Sequence, residues 1–594
     1  MKSNKKKYTI KQRFQYWLDT RMSKGVLPLV KIMTIFTVLV VAVVAISVWL
    51  LTSRTINNLW TTVWDSFAYT FNGWLPFTED KESMAGPAFL IPTAIGSIVG
   101  ILFTSTLIGI ISSAIEEKLT ELRKGTSLVL EEGHIVVLGF IKGEYSLINQ
   151  LIIAADGNPV CIVVAGGTEK DEMESLINEN ITLPPNVKMI CRKVDITDPQ
   201  SLACCSIENA KAVVVSPQTD EKTVRAIMAA LKLLGDNETD YVNIIAAVSD
   251  NKYLLPKHMC KHRHILNVQT EGLLARIIAR SCTQPGIANT ISTVFDFEGS
   301  EFYAGNKPEL AGKTFGEIMG MVRVGTPIGY IRKGETITNP GKNLKYEAED
   351  KLIYLSENRN SIEILSRKTD IEVIEDKNIK TENKKNGLIV IGENPFYEEF
   401  MEELPNNLTS KKTVTYKEIP REEMLYDDLK DMDHVVILNS HNEKGDSDAE
   451  NILTLLRVRD VKGKYNLNYS ITTELKTEKS KQLVQDNDMT DYVIASDTVA
   501  KILAQYVESP ELREFFVELL SKDGNVLHLR KPTEFSVDGA IHSVFAIREK
   551  LFSKGYICIG YIKDGDYVLN PDGDKEIYLD ESNDLIVIGR NDIE

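Results

Sequence analysis

Residues 32–53, IMTIFTVLVVAVVAISVWLLTS, run for 22 positions without a charge, and residues 83–115 run for 33 more. A helix crossing a bilayer core needs about 20 apolar residues, so each run is long enough to be a membrane span. Two buried core helices are the alternative, but core helices rarely stay uncharged beyond about 18 residues. The first run is too long, and too far from an A-x-A site, for a signal peptide. Charge sets the orientation. Residues 1–31 carry nine Lys or Arg and one Asp, a net +8 in a chain whose overall formal charge is −16. Lys118, Arg123 and Lys124 follow the second run, whereas Arg54 and Lys81 between the runs face Asp65, Glu79, Asp80 and Glu82. Basic residues favour the cytoplasmic side, so both termini are expected inside, at the cell membrane. A basic end also suits nucleic acid, but the adjoining spans assign it to a lipid bilayer. The stretch YTIKQRFQYWLDTRM fits an interfacial helix or a disordered basic tail.

The segment between the runs is apolar and aromatic rather than turn-rich. Trp60, Trp64, Phe67 and Phe71 recur at helical spacing, and the pattern breaks at Asn72-Gly73 before Pro76. A re-entrant helix followed by irregular backbone would be written this way, and such backbone survives at membrane depth only against protein or water. An aromatic helix lying on the outer surface is the competing reading. In the pore reading, Thr70, Phe71, Asn72 and Gly73 form a selectivity filter. Thr70 and Asn72 supply oxygens, Gly73 the backbone freedom, and Phe71 packs behind. Glu79 and Asp80 would concentrate cations at the mouth. Gly96, Gly100 and Gly109 are hinge candidates in the second span, although close helix packing explains them equally. Glu116 and Glu117 begin a charged helix that Gly125 stops, giving a link from pore to cytoplasm.

Beyond Gly125 the pattern changes. HIVVLGF, PVCIVVAGG, VKMICRKVD, KAVVVSP and VNIIAAVSD are short β-branched runs separated by helical stretches such as EYSLINQLIIAAD and DEKTVRAIMAALKLLG. This alternation predicts α/β modules with parallel, Rossmann-like sheets. A weaker second pass comprises GLIVIGENPF, KTVTYKEIP, DHVVILNS and YNLNYSITTE. The passes are a repeat. LARIIARSCTQP aligns with VAKILAQYVESP, and IGYIRKGETITNP matches IGYIKDGDYVLNP at seven of thirteen positions, 231 residues apart. GETITNP and GDYVLNP read as hairpins of a small β-rich lobe that DKLIYLS and NDLIVIG close. The expected organisation is a basic segment (1–28), a pore unit (29–125, with spans near 30–53 and 85–115 around a re-entrant segment near 57–75), a first Rossmann-like lobe (126–290) and its β lobe (291–366). A charged linker (367–386), a second Rossmann-like lobe (387–520) and a second β lobe (521–594) complete it.

No catalytic site is complete. The first turn, LGFIKGE, has Gly139 and Gly143 but lacks the middle glycine of a dinucleotide fingerprint, and the second strand ends in Val163-Val164-Ala165 without a ribose-binding acid. The second module has Gly392 alone. Bound NAD and an enzymatic role are therefore not expected. His258, Cys260, His262 and His264 sit close in sequence, but no second Cys or carboxylate completes a metal set, so the metal remains unassigned. The carboxylates Asp220 and Glu221 in the first module, and Asp446 and Asp448 in the second, follow strands. They either ligate Ca²⁺ or cap the helices they begin. The seven cysteines form no framework and read as reduced thiols.

With AIEEKLTELRKG, GHIVVLGF, QPG, FEGSEFY and DKLIYLSEN in hand, the chain resembles the CASTOR/POLLUX family of ion channels. These are two-span pores with tandem RCK (TrkA-N) domains, and the resemblance covers the chain from about residue 30. It implies a homotetramer whose eight RCK modules form a cytoplasmic gating ring linked to calcium; Gly139 and the strand-end acids are this chain's own ligand candidates. It also implies a permeant monovalent cation such as K⁺, or Ca²⁺. The family's filter carries an alanine-aspartate-small-glycine run where this sequence has Thr70-Phe71-Asn72-Gly73, and there is no TVGYG, so the family's selectivity does not carry over to this chain. The plant proteins have extra amino-terminal membrane helices that are not matched here, and the resemblance is taken to be to a prokaryotic-like member. A membrane-tethered RCK subunit of a potassium uptake system, without its own pore, is the alternative, and a membrane-anchored oxidoreductase a third.

Overall fold

The computed structural model describes residues 26–52, 87–123 and 125–590, apart from 126, 142–144, 217–218, 236–241, 257–258, 260–264, 370, 378–385, 406–407, 416–421, 440–446 and 485–489; between the first two stretches it describes 60, 63, 64 and 66–68. The chain divides into two compact units at Gly125.

The first unit holds two helices, Val26–Thr52 and Pro87–Arg123. Thr37, Val41, Val44, Ala45 and Val48 lie at helical spacing on one buried face of the first, and Gly96, Ser97 and Gly100 on a buried face of the second. Small side chains on the second helix allow close approach. Large apolar residues cover the remaining surface, among them Ile35 at 67% exposure and Leu102 at 61%. At 1.5 Å per residue the second helix is about 55 Å long, so its charged end, EEKLTELR, runs past an apolar layer of about 30 Å. Among the described residues one helix segment, Ala94–Ser113, is long and apolar enough to cross a membrane. The apolar part of the first helix, Thr34–Leu50, is shorter.

The second unit contains both repeats. In the first, β1 (His134–Leu138), β2 (Val160–Gly166), β3 (Val187–Lys193), β4 (Ala210–Val215), β5 (Asn243–Val248) and β6 (Ile265–Gln269) form one sheet in the order β3-β2-β1-β4-β5-β6. Every pairing is parallel, and the runs are Val/Ile-rich because helices cover both faces. The sixth strand, ILNVQ, was not among the expected five. It lies at the sheet edge and is only partly buried, so its apolar signal is weak. The second sheet has five parallel strands. Ser410–Val414 lies at the edge, followed by Gly387–Ile391, His434–Ile437, Ser470–Leu475 and Thr490–Ile494.

Each parallel sheet leads into an antiparallel lobe. Glu301–Asn306, Lys351–Ser356, Thr326–Arg332 and Glu335–Thr338 form one, and Asn525–Arg530, Asp584–Arg590, Tyr556–Lys563 and Asp566–Leu569 the other. The repeated thirteen-mers are their hairpins. Lys333 (φ 53°) and Gly334 (φ 83°) turn the first, and Asp564 (φ 54°) and Gly565 (φ 86°) turn the second. Two consecutive positive φ values are the signature of the tight turn that suits twisted strands. The glycine in each IGYI is steric: a Cβ on Gly329 would lie 2.1 Å from the Ile337 carbonyl oxygen, and one on Gly560 2.4 Å from that of Val568.

The two repeats share one continuous core. Phe295 and Phe302 of the first pack against Phe515 and Phe516 of the second, with ring centroids 5.0 to 6.0 Å apart. Helix Ala495–Glu508 of the second repeat lies on Ser146–Ala154 of the first, while Thr270–Ser281 of the first packs on Tyr397–Glu403 of the second. The charged stretch read as a linker is partly a strap. Ile374 is buried among Phe535 and Val537, its carbonyl accepts from Lys550 Nζ at 2.7 Å, and the Lys377 amide donates to Ser536 Oγ at 2.9 Å.

Candidate functional site

Within the first unit, Trp60, Trp64 and Phe67 line an apolar groove of about 550 Å³ together with Thr37, Val41 and Phe103. Gly96 and Gly100 are buried, and Gly109 faces open space with nothing within 4 Å of a Cβ. Thr70, Phe71, Asn72, Gly73, Glu79 and Asp80 lie outside the described residues, as do Asp446, His258, Cys260, His262 and His264. Glu116 and Glu117 lie in the helix Pro87–Arg123, and Glu116 is exposed. Gly125 adopts φ 63°, the left-handed conformation expected of a helix stop.

The segment that leaves this helix is tied to the first module by backbone and side chain together. The buried Arg192 donates from Nε to the Ser127 carbonyl at 2.8 Å. The Val129 amide donates to the Cys204 carbonyl at 2.8 Å, and Ser206 Oγ donates to the Val129 carbonyl at 2.5 Å. The Gly133 amide reaches the Asn209 carbonyl, and Lys188 pairs with Glu131.

At the carboxyl ends of the strands the two modules solve one problem alike. Gly139 (φ 102°) and Gly392 (φ 89°) make the first turns, and the Gly139 amide bonds to the Ala165 carbonyl. Phe140 lies directly against Gly166, where a Cβ would meet its backbone at 3.2 Å. Asp220, at the start of its helix, accepts the amides of Ser249 and Asp250, both at 2.9 Å, and Glu221 accepts from the Tyr253 hydroxyl. In the second module the buried Asp448 holds the corresponding loop. It accepts the Lys476 amide at 2.9 Å, Asn439 Nδ2 at 3.0 Å and Ser480 Oγ at 2.5 Å. The buried Glu474 carboxylate accepts Asn394 Nδ2 and the Asn439 amide beside the Gly392 turn. That turn is where a Rossmann fold would receive phosphate.

Sequence reasoning missed the groups that join the modules. Asp491 of the second accepts the amides of Gly286 (2.6 Å) and Asn289 (3.1 Å) at the start of helix Ile287–Val294 of the first. Burial pushes its carboxyl up to about 7. Lys501 pairs with Asp296 (2.5 Å) and Asp497 (3.3 Å), and Asp497 accepts from Gln150 of the first sheet's helix. Arg280 donates to the Leu527 carbonyl, and Gln284 bonds His528, whose imidazole burial holds near 3. Between the β lobes the fully buried Arg548 donates to the carbonyls of Gly325 (3.3 Å) and Pro571 (2.9 Å) and to Thr326 Oγ1 (2.7 Å). Burial lowers its guanidinium to about 10. The repeated Asn-Pro ends are the one signal that pointed here: Asn339 donates to the Gly555 carbonyl at 2.7 Å, and Asn570 accepts from Thr326 at 3.0 Å.

Two parallel-sheet modules with β lobes, joined across one shared seam, define a tandem-repeat α/β unit. The second unit shares its fold with the human SLO3 gating ring, at a TM-score of 0.52 and 12% identity over 77% of this chain and 99% of that one. Residues 271–372 match the family model described as "Castor and Pollux, part of voltage-gated ion channel". The chain is 24% identical over 600 residues to the "Probable ion channel POLLUX" of Oryza sativa subsp. japonica, covering 87% of this chain and 61% of that protein. It is 22% identical to the "Ion channel CASTOR" of Lotus japonicus, over 82% of this chain and 66% of that protein. These matches therefore span just under two thirds of each relative. The family and these relatives are ion channels rather than enzymes, and the relatives named are plant proteins, so a prokaryotic-like affinity is not borne out.

Proposed function

We propose that the chain is the pore-forming subunit of a cation channel of the CASTOR/POLLUX type, gated by its cytoplasmic modules. The observation that carries this reading is the run of similarity to proteins named as ion channels, which spans 87% of the chain and so takes in more than the regulatory modules. The continuous 37-residue helix, apolar and then charged, supports it by leading directly into the segment docked on the first module. In this reading four copies surround one pore, eight modules form the ring, both spans cross the cell membrane and both termini are cytoplasmic. Residues 70–73 act as filter for K⁺ or another monovalent cation, or Ca²⁺. The missing fingerprint glycine and Phe140 against Gly166 argue against NAD as the gating ligand, and Ca²⁺ is the better candidate.

Purified protein in planar bilayers, with ions exchanged on one side, tests the reading. Cation currents whose reversal potentials shift with the permeant ion, and which Gly73→Ala alters or abolishes, are the expected result. Silent bilayers would instead favour the tethered regulatory subunit, a reading helped by the presence of only one sufficiently long apolar segment among the described residues.

A further inference from the structure

Four of the seven cysteines, Cys161, Cys191, Cys204 and Cys205, lie within the field of Arg192. Cys191 and Cys205 are buried, Cys161 and Cys204 partly exposed. Cys204 and Cys205 are neighbours in one turn, Ala203–Cys205, and the Cys204 thiol donates to the Ser201 carbonyl at 3.3 Å. The neighbouring Cys205 thiol, followed by the Arg192 charge, eases ionisation of the half-buried Cys204, while Cys205 stays protonated. An ionisable, partly exposed thiol beside a cation has the chemistry of a reactive cysteine. The peptide joining the pair also has a mechanical task. Its carbonyl, that of Cys204, holds the Val129 amide, and the next carbonyl, that of Cys205, bonds His134 Nε2 at 2.9 Å. Ser206 follows at φ 48° and grips Val129 from the other side.

We propose that Cys204 and Cys205 are a thiol modification site, which a hydroperoxide converts to a vicinal disulfide that releases residues 127–133 from the first module. The Cys204 thiolate attacks the terminal peroxide oxygen, the O–O bond breaks, and an alcohol leaves with the proton, so Cys204 becomes a sulfenic acid. The Cys205 sulfur then attacks the Cys204 sulfur, the S–O bond breaks, and water departs with the Cys205 proton. The two thiols lose two electrons and the peroxide gains them. Adjacent Cα atoms stand about 3.8 Å apart across a trans peptide, closer than the roughly 4.4–6.8 Å of relaxed disulfides. Ring closure must therefore twist this peptide and turn its carbonyl away from Val129. A strained bridge is also readily reduced by cellular thiols, which makes the change reversible.

The test treats full-length protein in nanodiscs with tert-butyl hydroperoxide and follows two readouts: the cysteine state by mass spectrometry and amide exchange of residues 127–133. The expected result is an internal 204–205 disulfide and exchange at Val129 faster by about fivefold or more, the effect of losing one hydrogen bond, with reversal by dithiothreitol. Cys205→Ser should keep Val129 protected even when its Cys204 is oxidised. A disulfide with unchanged exchange, thiols that stay reduced, or equal release in Cys205→Ser would each overturn the proposal. Neither readout needs a current, so failure of the channel reading leaves this result distinct. If that reading holds, peroxide should also shift open probability in wild type and not in Cys205→Ser.

Discussion

Arg548 provides the sharpest measure of how the β lobes are coupled. Its guanidinium is fully buried and spends three hydrogen bonds on Gly325, Thr326 and Pro571, acceptors drawn from both lobes. Hydrogen bonds from a charged donor contribute about 1.5–3 kcal/mol each, and leaving buried acceptors unmet costs about 1–3 kcal/mol apiece. Against this stands the cost of burying the charge, which depresses the group to about 10. The expected net loss for Arg548→Ala is about 2–5 kcal/mol, the cost of up to three unmet buried acceptors offset by relief of the buried charge. Arg548→Met should lose less, because it keeps volume and removes the desolvation cost together with the donors. Arg548→Lys should resemble Ala, since one ammonium on a flexible stem cannot reproduce a planar fork that serves three separate acceptors. Native-state hydrogen exchange on the full chain reads this locally, as the opening free energy of amides in Thr326–Arg332 and Tyr556–Lys563. A loss below about 1 kcal/mol in Arg548→Ala would refute the view that this side chain couples the lobes.

Three further outcomes follow from the same geometry. Gly329→Ala and Gly560→Ala should each destabilise by about 1–3 kcal/mol or more, because the added methyl meets a cross-strand carbonyl at 2.1 and 2.4 Å; denaturant melts of the two variants test this. Asp491 has a folded pKa raised to about 7 by burial, so its contribution is fully present below its unfolded value and is lost as pH rises through 7. Exchange protection of helix Ile287–Val294 should therefore fall between about pH 4 and 7.5, and Asp491→Asn should flatten that dependence. The other groups that sense this carboxylate, Cys282 and Tyr567, are both held well above neutrality by burial and do not titrate in that window. Asp448→Asn should expose the amide of Lys476 to exchange while leaving the first module unchanged, since its three partners lie within the second.

Much of the architecture is legible in the sequence because it depends on local pattern. Uncharged runs, β-branched strands alternating with helices, and a duplicated hairpin each follow from short-range chemistry, whereas the positive φ of Lys333 at the first hairpin's turn is seen only in the structure. The edge strand ILNVQ was not legible, since a half-buried edge needs few apolar residues. Nor could the alternatives for Asp220 and Asp448 be separated by inspection: a carboxylate after a strand serves a cation and a backbone amide equally well. The tertiary structure places both on the amides of the following strand's loop.

The seam between the repeats was decided by tertiary structure alone. Asp491 meets Gly286 across 205 residues and Arg548 meets Thr326 across 222. Nothing local marks either residue, because burial, rather than its own sequence neighbourhood, makes a charged side chain costly enough to demand these partners. Repetition of IGYI and Asn-Pro determined that two like lobes would exist. Only the packing of one lobe against the other determined that their asparagines, glycines and a single buried arginine would hold them as a pair.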